Sequence, residues 1–169
     1  QSHPSDTAYV LQNLVDSHDT QRIASAIANR STYEHYKNWD WFDYDEGERV
    51  NARAFGYNNA APDAEGRRIW KMLALFQATY VGAPMIYYGT EVGMWGADDP
   101  EDRMPTWWHR FDQDIFEAYQ KAFQLRHQHP ALRRGSFKVI AVHNDRKIFV
   151  FERRLEGQRL IIILNRGDT

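Results

Sequence analysis

Apolar residues recur along this chain with two different periods, and the change comes near Gly135. Ahead of it, short unbroken apolar runs alternate with stretches that repeat every three or four positions. Residues 9–15 read as a strand, and residues 20–29 as a helix with Ile23 and Ile27 four apart. The clearest helix covers 65–81. Its Ile69, Met72, Leu73, Phe76 and Tyr80 predict one buried face, and Gly82 stands where helix ends favour glycine. Residues 84–88 are a second short strand, ended by Gly89. Asp112 or Asp114 then caps a further helix with the stripe Ile115, Phe116, Tyr119, Ala122 and Phe123, and Pro130 marks its end. Beyond Gly135 the pattern gives three strands at 137–142, 147–153 and 159–164, with turns at 143–146 and 156–157.

Strand, helix, strand, helix points to β/α units on a parallel sheet, and the three final strands to an antiparallel domain. The expected fold class is therefore α/β over residues 1–134, followed by the start of a β-domain over 135–169. Two segments fit neither period. Residues 30–63 are polar and aromatic, with five acids between Asp40 and Glu48, and read as a long loop. Residues 91–111 are rich in Gly, Pro, Asp and Trp and read as another.

Composition narrows the function. The absence of Cys removes disulfides and thiolate metal sites from consideration. A net charge of -2 without a basic run gives no nucleic-acid footprint. No apolar run approaches the ~20 residues of a membrane span. The first six residues do not resemble a signal peptide, and without an initiator Met the chain is expected to be a piece of a longer product. Aromatic residues make up 14%, a share that suits stacking on flat ligands such as sugars.

Polar clusters follow both short strands. His18-Asp19 comes after the first, with Thr20 and Arg22 behind it. Tyr87-Tyr88-Gly89-Thr90-Glu91 comes with the second. In β/α barrels, residues at the C-terminal ends of strands line the active site. The plainer alternative is an Asp capping the helix that begins at Thr20, with a His bonded nearby. A His-Asp dyad of the metal phosphohydrolase kind is a third option, but it needs further His and Asp ligands.

Three segments carry a family resemblance: NLVDSHDTQR (13–22), GAPMIYYGTEVGMWGADDPEDRMPTWW (82–108) and LRHQHPALRRGSF (125–137). The first is similar to the fourth conserved region of glycoside hydrolase family 13, the α-amylase family. The second resembles the family's eighth barrel strand and following loop, and the third its passage into a C-terminal β-domain. The wording resembles the neopullulanase, cyclomaltodextrinase and maltogenic amylase group. The resemblance implies that the chain holds the last two β/α units of a TIM (β/α)8 barrel, strands 7 and 8, then the start of an antiparallel C-terminal domain.

Family 13 enzymes are retaining glycosidases, which need a carboxylate nucleophile and a carboxylic acid about 5 Å apart. In the family these follow strands four and five, outside this chain. Asp19 matches the family's third carboxylate, which stabilises the transition state by gripping sugar hydroxyls, and His18 matches its partner His. Arg103 matches an Arg on the loop beside the cleft, binding either a substrate hydroxyl or an acid across the loop. Trp95 and Asp99 are further substrate-binding candidates, and Trp107 and Trp108 could stack on glucose or pack the loop. Tyr87, Tyr88, Arg22 and Glu91 are expected to be structural. Thr90 departs from the family's usual Asp. Trp39, Trp41 and Tyr44 belong to the 30–63 loop.

The implied activity is hydrolysis of α-1,4 linkages in maltooligosaccharides, cyclomaltodextrins or starch-like glucans. Isomerisation of a disaccharide, as in trehalose synthase relatives, and a non-catalytic sugar-binding or scaffold role are the alternatives. The resemblance implies no cofactor or metal in this chain and leaves calcium to the rest of the parent. The expected partners are an α-glucan and the remainder of the barrel, with no nucleic acid or membrane, and with room for a homo-oligomer.

Overall fold

The computed structural model describes residues 5–30 and 57–167. Most of the expected 30–63 loop, with Trp39, Trp41 and Tyr44, lies outside the described residues. In chain order come α1 (Ser5–Ala8), β1 (Gln12–Asn13), α2 (Ile23–Ala28), α3 (Ala64–Thr79) and β2 (Ala83–Pro84). Two 3-10 turns follow at Thr90–Val92 and Glu101–Arg103. The chain then continues through α4 (Gln113–Gln128), α5 (Pro130–Arg134), β3 (Ser136–His143), β4 (Ile148–Leu155) and β5 (Gln158–Asn165). Contacts divide the chain into two compact units. One holds Gln1–Asn13, Lys71–Met85 and Glu117–Thr169, and the other Leu14–Trp70 and Ile86–Phe116.

In the first unit β1 and β2 are adjacent and parallel, with Gln12 opposite Ala83 and Asn13 opposite Pro84. The ladder runs from Ala83 N to Leu11 O at 2.8 Å and from Met85 N to Asn13 O at 3.1 Å. Both strands are shorter than the apolar runs at 9–15 and 84–88. A run becomes strand only where a neighbour supplies hydrogen bonds, and α1, unforeseen in the sequence, occupies the approach to β1. Buried Gln77 fastens the pair. Its Nε2 donates to Asn13 O at 2.8 Å and to Met85 O at 2.7 Å, while Asn13 Nδ2 donates to Gln77 O at 3.1 Å. Gly82 has φ 116, and a Cβ there would sit 2.7 Å from Leu11 O, so only glycine fits this turn.

The deepest face of α3 is Trp70, Ala74, Gln77 and Ala78, not the predicted stripe. Ile69, Met72, Leu73, Phe76 and Tyr80 are half-buried. Small alanines let a helix backbone approach its neighbours closely, a signal that a reading weighted by side-chain size misses. The stripe of α4 is as expected: Ile115, Tyr119 and Ala122 are buried, and Phe116 and Phe123 half-buried. α4 ends at Gln128, two residues before Pro130 as expected, and Pro130 also opens α5 at a position where its missing N–H costs nothing.

Strands β3, β4 and β5 form an antiparallel meander in that order. Phe151 pairs with Ile162, and the register of β3 shifts between Val139 and Ala141. Leu132, Phe151, Ile162 and Leu164 are buried, with Met72, Phe76, Tyr80 and Phe137 packed on them. Two arginines close the end of α3. Arg153 donates to Thr79 O at 2.7 Å and to Gly135 O at 3.1 Å. Arg126 donates to Ala78 O at 2.9 Å, Gly82 O at 2.6 Å and Leu132 O at 2.9 Å. They satisfy carbonyls that a helix end leaves unpaired, at the pole of its dipole that favours cations. Burial and the like charge of Arg126 push the Arg153 guanidinium down to about 10, so it stays charged at neutral pH.

Candidate active site

The candidate site lies within the second unit and is built from the segments that follow β1 and β2. Asp16, 1% exposed, is its anchor. Its Oδ2 accepts from Ile23 N at 3.1 Å, at the first turn of α2, and from Thr90 Oγ1 at 2.7 Å. Burial raises the Asp16 carboxyl above its ordinary range, against the lowering pull of these two bonds. The helix-capping duty considered for Asp19 therefore falls to Asp16, which leaves the Asp19 carboxylate free of any helix. Between them Ser17 N donates to Thr20 Oγ1 at 3.2 Å and Asp19 N to Ser17 Oγ at 3.1 Å, folding the turn that presents His18 and Asp19.

Arg22 binds the two segments together. Its side chain is fully buried, donates to Tyr88 O at 2.7 Å, and lies 4.7 Å and 4.8 Å from the ring centroids of Tyr87 and Tyr88. Its backbone N donates to Gly96 O at 3.0 Å, and Gly96 N donates to Ser25 Oγ at 2.9 Å. Tyr88 Oη donates to Met104 O at 2.8 Å. Burial, reinforced by Tyr88, pushes the Tyr87 phenol up to about 12. Arg22, Tyr87 and Tyr88 thus form a packed brace.

On this frame three predicted residues come together. His18 Nε2 is 3.3 Å from Asp19 Oδ2. Arg103 Nε donates to His18 O at 3.0 Å, and its terminal nitrogen lies 3.8 Å from Asp19 Oδ1 and 3.4 Å from Asp99 Oδ2. Arg103 meets acids on its own loop and across to the other, while all three side chains stay open to solvent, with Asp19 at 63% exposure. Behind them Asp102 is fully buried with no hydrogen-bond partner among the described residues. Burial, and then the nearby charge of Asp98, raises its carboxyl above the ordinary range. Among the described residues, no three His, Cys, Asp or Glu side chains come together as a metal site.

No family model matches the chain. It is 31% identical over 169 residues to neopullulanase 2 of Thermoactinomyces vulgaris, a match covering 98% of this chain and 23% of that protein. It is 30% identical over 165 residues to a cyclomaltodextrinase of a Bacillus species, covering 96% of this chain and 23% of that one. Among solved structures a cyclomaltodextrinase superposes with a TM-score of 0.69 at 29% identity, over 96% of this chain and 22% of that one. Over nearly its whole length the chain is similar to enzymes of the α-amylase family. It spans 23% of the length of these two curated relatives.

Trp95 is the predicted site residue that takes other partners. Its ring packs edge-on against Trp107 at 4.5 Å, with the Arg110 guanidinium 4.5 Å from its centroid. Trp108 is 79% exposed and tilts over Phe111 at 6.0 Å. Glu91 is half-buried in the 3-10 turn after Gly89. The sequence reading missed Asp16 and Asp102, both close to residues it singled out. Thr90 was marked only as a departure from the family's Asp. The hydroxyl there donates to Asp16, where a second carboxylate would face the first.

Proposed function

We propose that the protein containing this chain is a retaining glycoside hydrolase that cleaves α-1,4 linkages in maltooligosaccharides, cyclomaltodextrins or starch-like glucans. Residues 1–134 then supply the last two β/α units of a TIM barrel, and residues 135–169 begin a C-terminal β-domain. The parallel pairing of β1 with β2 supports that placement. The convergence of His18, Asp19 and Arg103 on one solvent-open surface is the observation that carries the functional reading.

In this mechanism Asp19 is neither nucleophile nor acid. Those two carboxylates stand about 5 Å apart in retaining enzymes and come from elsewhere in the parent. Asp19 accepts hydrogen bonds from hydroxyls of the sugar whose bond breaks. As the ring flattens toward an oxocarbenium ion, its hydroxyls become better donors, so a fixed carboxylate binds the transition state more tightly than the ground state. His18 donates to the same sugar, and its 3.3 Å contact with Asp19 fixes the direction from which it does so. Arg103 holds the Asp19 carboxylate from the far side, and with Asp99 lines the cleft for a neighbouring sugar. Incubating the parent with maltoheptaose and β-cyclodextrin should release new reducing ends. Inertness toward both, in folded protein, would rule out this reading.

A further inference from the structure

Asp102 is a buried acid with no duty in the mechanism above. It sits in the 3-10 turn Glu101–Arg103 at 0% exposure, and neither carboxyl oxygen has a hydrogen-bond partner among the described residues. Gly96 explains the burial. A Cβ there would stand 2.3 Å from Glu101 O and 3.2 Å from Asp102 N, so the turn lies directly on the glycine backbone. That backbone is tied in turn to the start of α2. Gly96 O accepts from Arg22 N at 3.0 Å, and Gly96 N donates to Ser25 Oγ at 2.9 Å. The turn therefore rests on a braced segment, with its central side chain kept away from water.

The titratable neighbours of this carboxyl are Asp98, Asp99 and Arg103 on its own loop, and Tyr87 from the segment after β2. Arg103 is the cation of the group, its Nε 4.0 Å from Asp102 Oδ1. The same Nε donates to His18 O at 3.0 Å, while a terminal nitrogen lies 3.8 Å from Asp19 and 3.4 Å from Asp99. Nε carries one hydrogen, so His18 O and Asp102 compete for it.

Protonation decides that competition. In a buried place without a partner the neutral carboxyl is the cheaper form. Burial, and then the Asp98 charge, raises this one above its ordinary range. Neutral Asp102 exerts little pull, and Arg103 stays on His18 O and beside Asp19, the arrangement seen here. Ionised Asp102 is a buried charge whose counter-ion at hand is Arg103. Leaving that charge unpaired costs more than the bond to His18 O is worth. Closing the 4.0 Å gap takes Nε off His18 and carries the guanidinium inward, away from Asp19.

We propose that Asp102 is a positioning residue for the sugar site: as an acid it leaves Arg103 on His18 and Asp19, and as a carboxylate it draws Arg103 away. The proposal rests on the glycosidase reading above and acts on it only through Arg103. Sugar binding and turnover therefore weaken as pH rises through the Asp102 titration.

The test measures the affinity of the intact parent for a thio-linked maltotetraose, a neutral ligand whose sulfur bridges resist hydrolysis, at about pH 5 and about pH 8. Asp102→Asn keeps the shape and fixes the neutral form. The unmutated parent and the variant should bind alike at the lower pH. At the higher, the variant should bind about tenfold more tightly, the worth of one hydrogen bond to a charged group. His18 and the parent's catalytic acid also respond to pH, so the difference between the two proteins is the quantity read. No difference, or the same difference at both pH values, overturns the proposal, since packing alone does not titrate. In an Arg103→Gln background Asp102→Asn should change nothing further. A pH-dependent gain there also overturns it, because Asp102 would then act by another route. Should the Asn variant fail to fold, Arg103→Gln alone decides, its side chain being exposed. It must weaken binding at the lower pH and leave the higher-pH affinity unchanged, and an equal loss at both sinks the idea. A parent that hydrolyses α-glucans but fails these comparisons sinks this proposal alone. One that neither binds the analogue nor hydrolyses any α-glucan sinks the functional reading.

Discussion

Asp19 and His18 adjoin in sequence, yet their side chains meet at 3.3 Å because the turn between Asp16 and Thr20 is folded by its own side chains. Replacing Asp19 with Asn in the parent keeps the shape and removes the charge. With the interaction concentrated in the transition state, kcat should fall on the order of 10²-fold or more while KM changes far less. An equal rise in KM with kcat intact would show that Asp19 only binds ground-state sugar. Thr90→Val removes one bond to Asp16, whose Oδ1 already lacks a partner among the described residues. It should cost about 1–3 kcal/mol in chemical denaturation, and Thr90→Ser should restore most of it. A Val variant as stable as the parent would mean that Asp16 finds another donor. His18 and Asp19 were legible in the sequence as polar residues after an apolar run, with a family match for each, and Arg103 through its family match alone. The Asp16–Thr90 bond was not, since it joins residues 74 positions apart.

Elements whose hydrogen bonds are local, or repeat between sequential neighbours, were the readable ones. The β3–β4–β5 meander follows the predicted strands within a residue or two, because short turns join its partners. The strands β1 and β2 were overlong in the sequence reading, because their extent depends on a partner far along the chain. Either Asp112 or Asp114 was expected to cap α4, and the structure assigns the cap to Asp112, whose Oδ1 accepts from Ile115 N at 3.1 Å. The same carboxylate takes two bonds from Arg67, and these hold it below the usual carboxylate range. A depressed carboxyl stabilises the fold fully above its unfolded value of about 3.9. That contribution is lost as pH falls through the lower folded value. Asp112→Asn keeps a capping oxygen and gives up the ion pair, so the variant's acid unfolding should depend less steeply on pH below about 4. Asp112→Ala also loses the cap, costing about 1 kcal/mol more. Parallel acid-denaturation profiles for the Asn variant and the parent would show that the ion pair contributes nothing, as many half-exposed pairs do.

For the whole molecule, the prediction separates these 169 residues from the protein that contains them. The chain by itself should show no glycosidase activity. A retaining mechanism requires a nucleophile and an acid about 5 Å apart across one glycosidic bond. At the candidate site the carboxylates are otherwise engaged: Asp16 holds α2 and Thr90, Asp99 faces Arg103, and Asp102 is buried. Of these described carboxylates Asp19 is the most exposed, and one carboxylate cannot attack the anomeric carbon from one face while a second group protonates the leaving oxygen on the other. The scaffold argument runs the same way. A TIM barrel needs eight strands, typically in about 250 residues, and the parallel sheet here has two, each of two residues. Open sheet edges recruit other chains, so the isolated chain should also self-associate, visible as a concentration-dependent mass in sedimentation. Purified chain incubated with maltoheptaose, β-cyclodextrin and a nitrophenyl maltoside should release no reducing ends. Turnover abolished by Asp19→Asn would make these residues an enzyme in their own right and overturn the division of labour proposed here. Turnover indifferent to that change would come from a contaminant and leave the prediction standing.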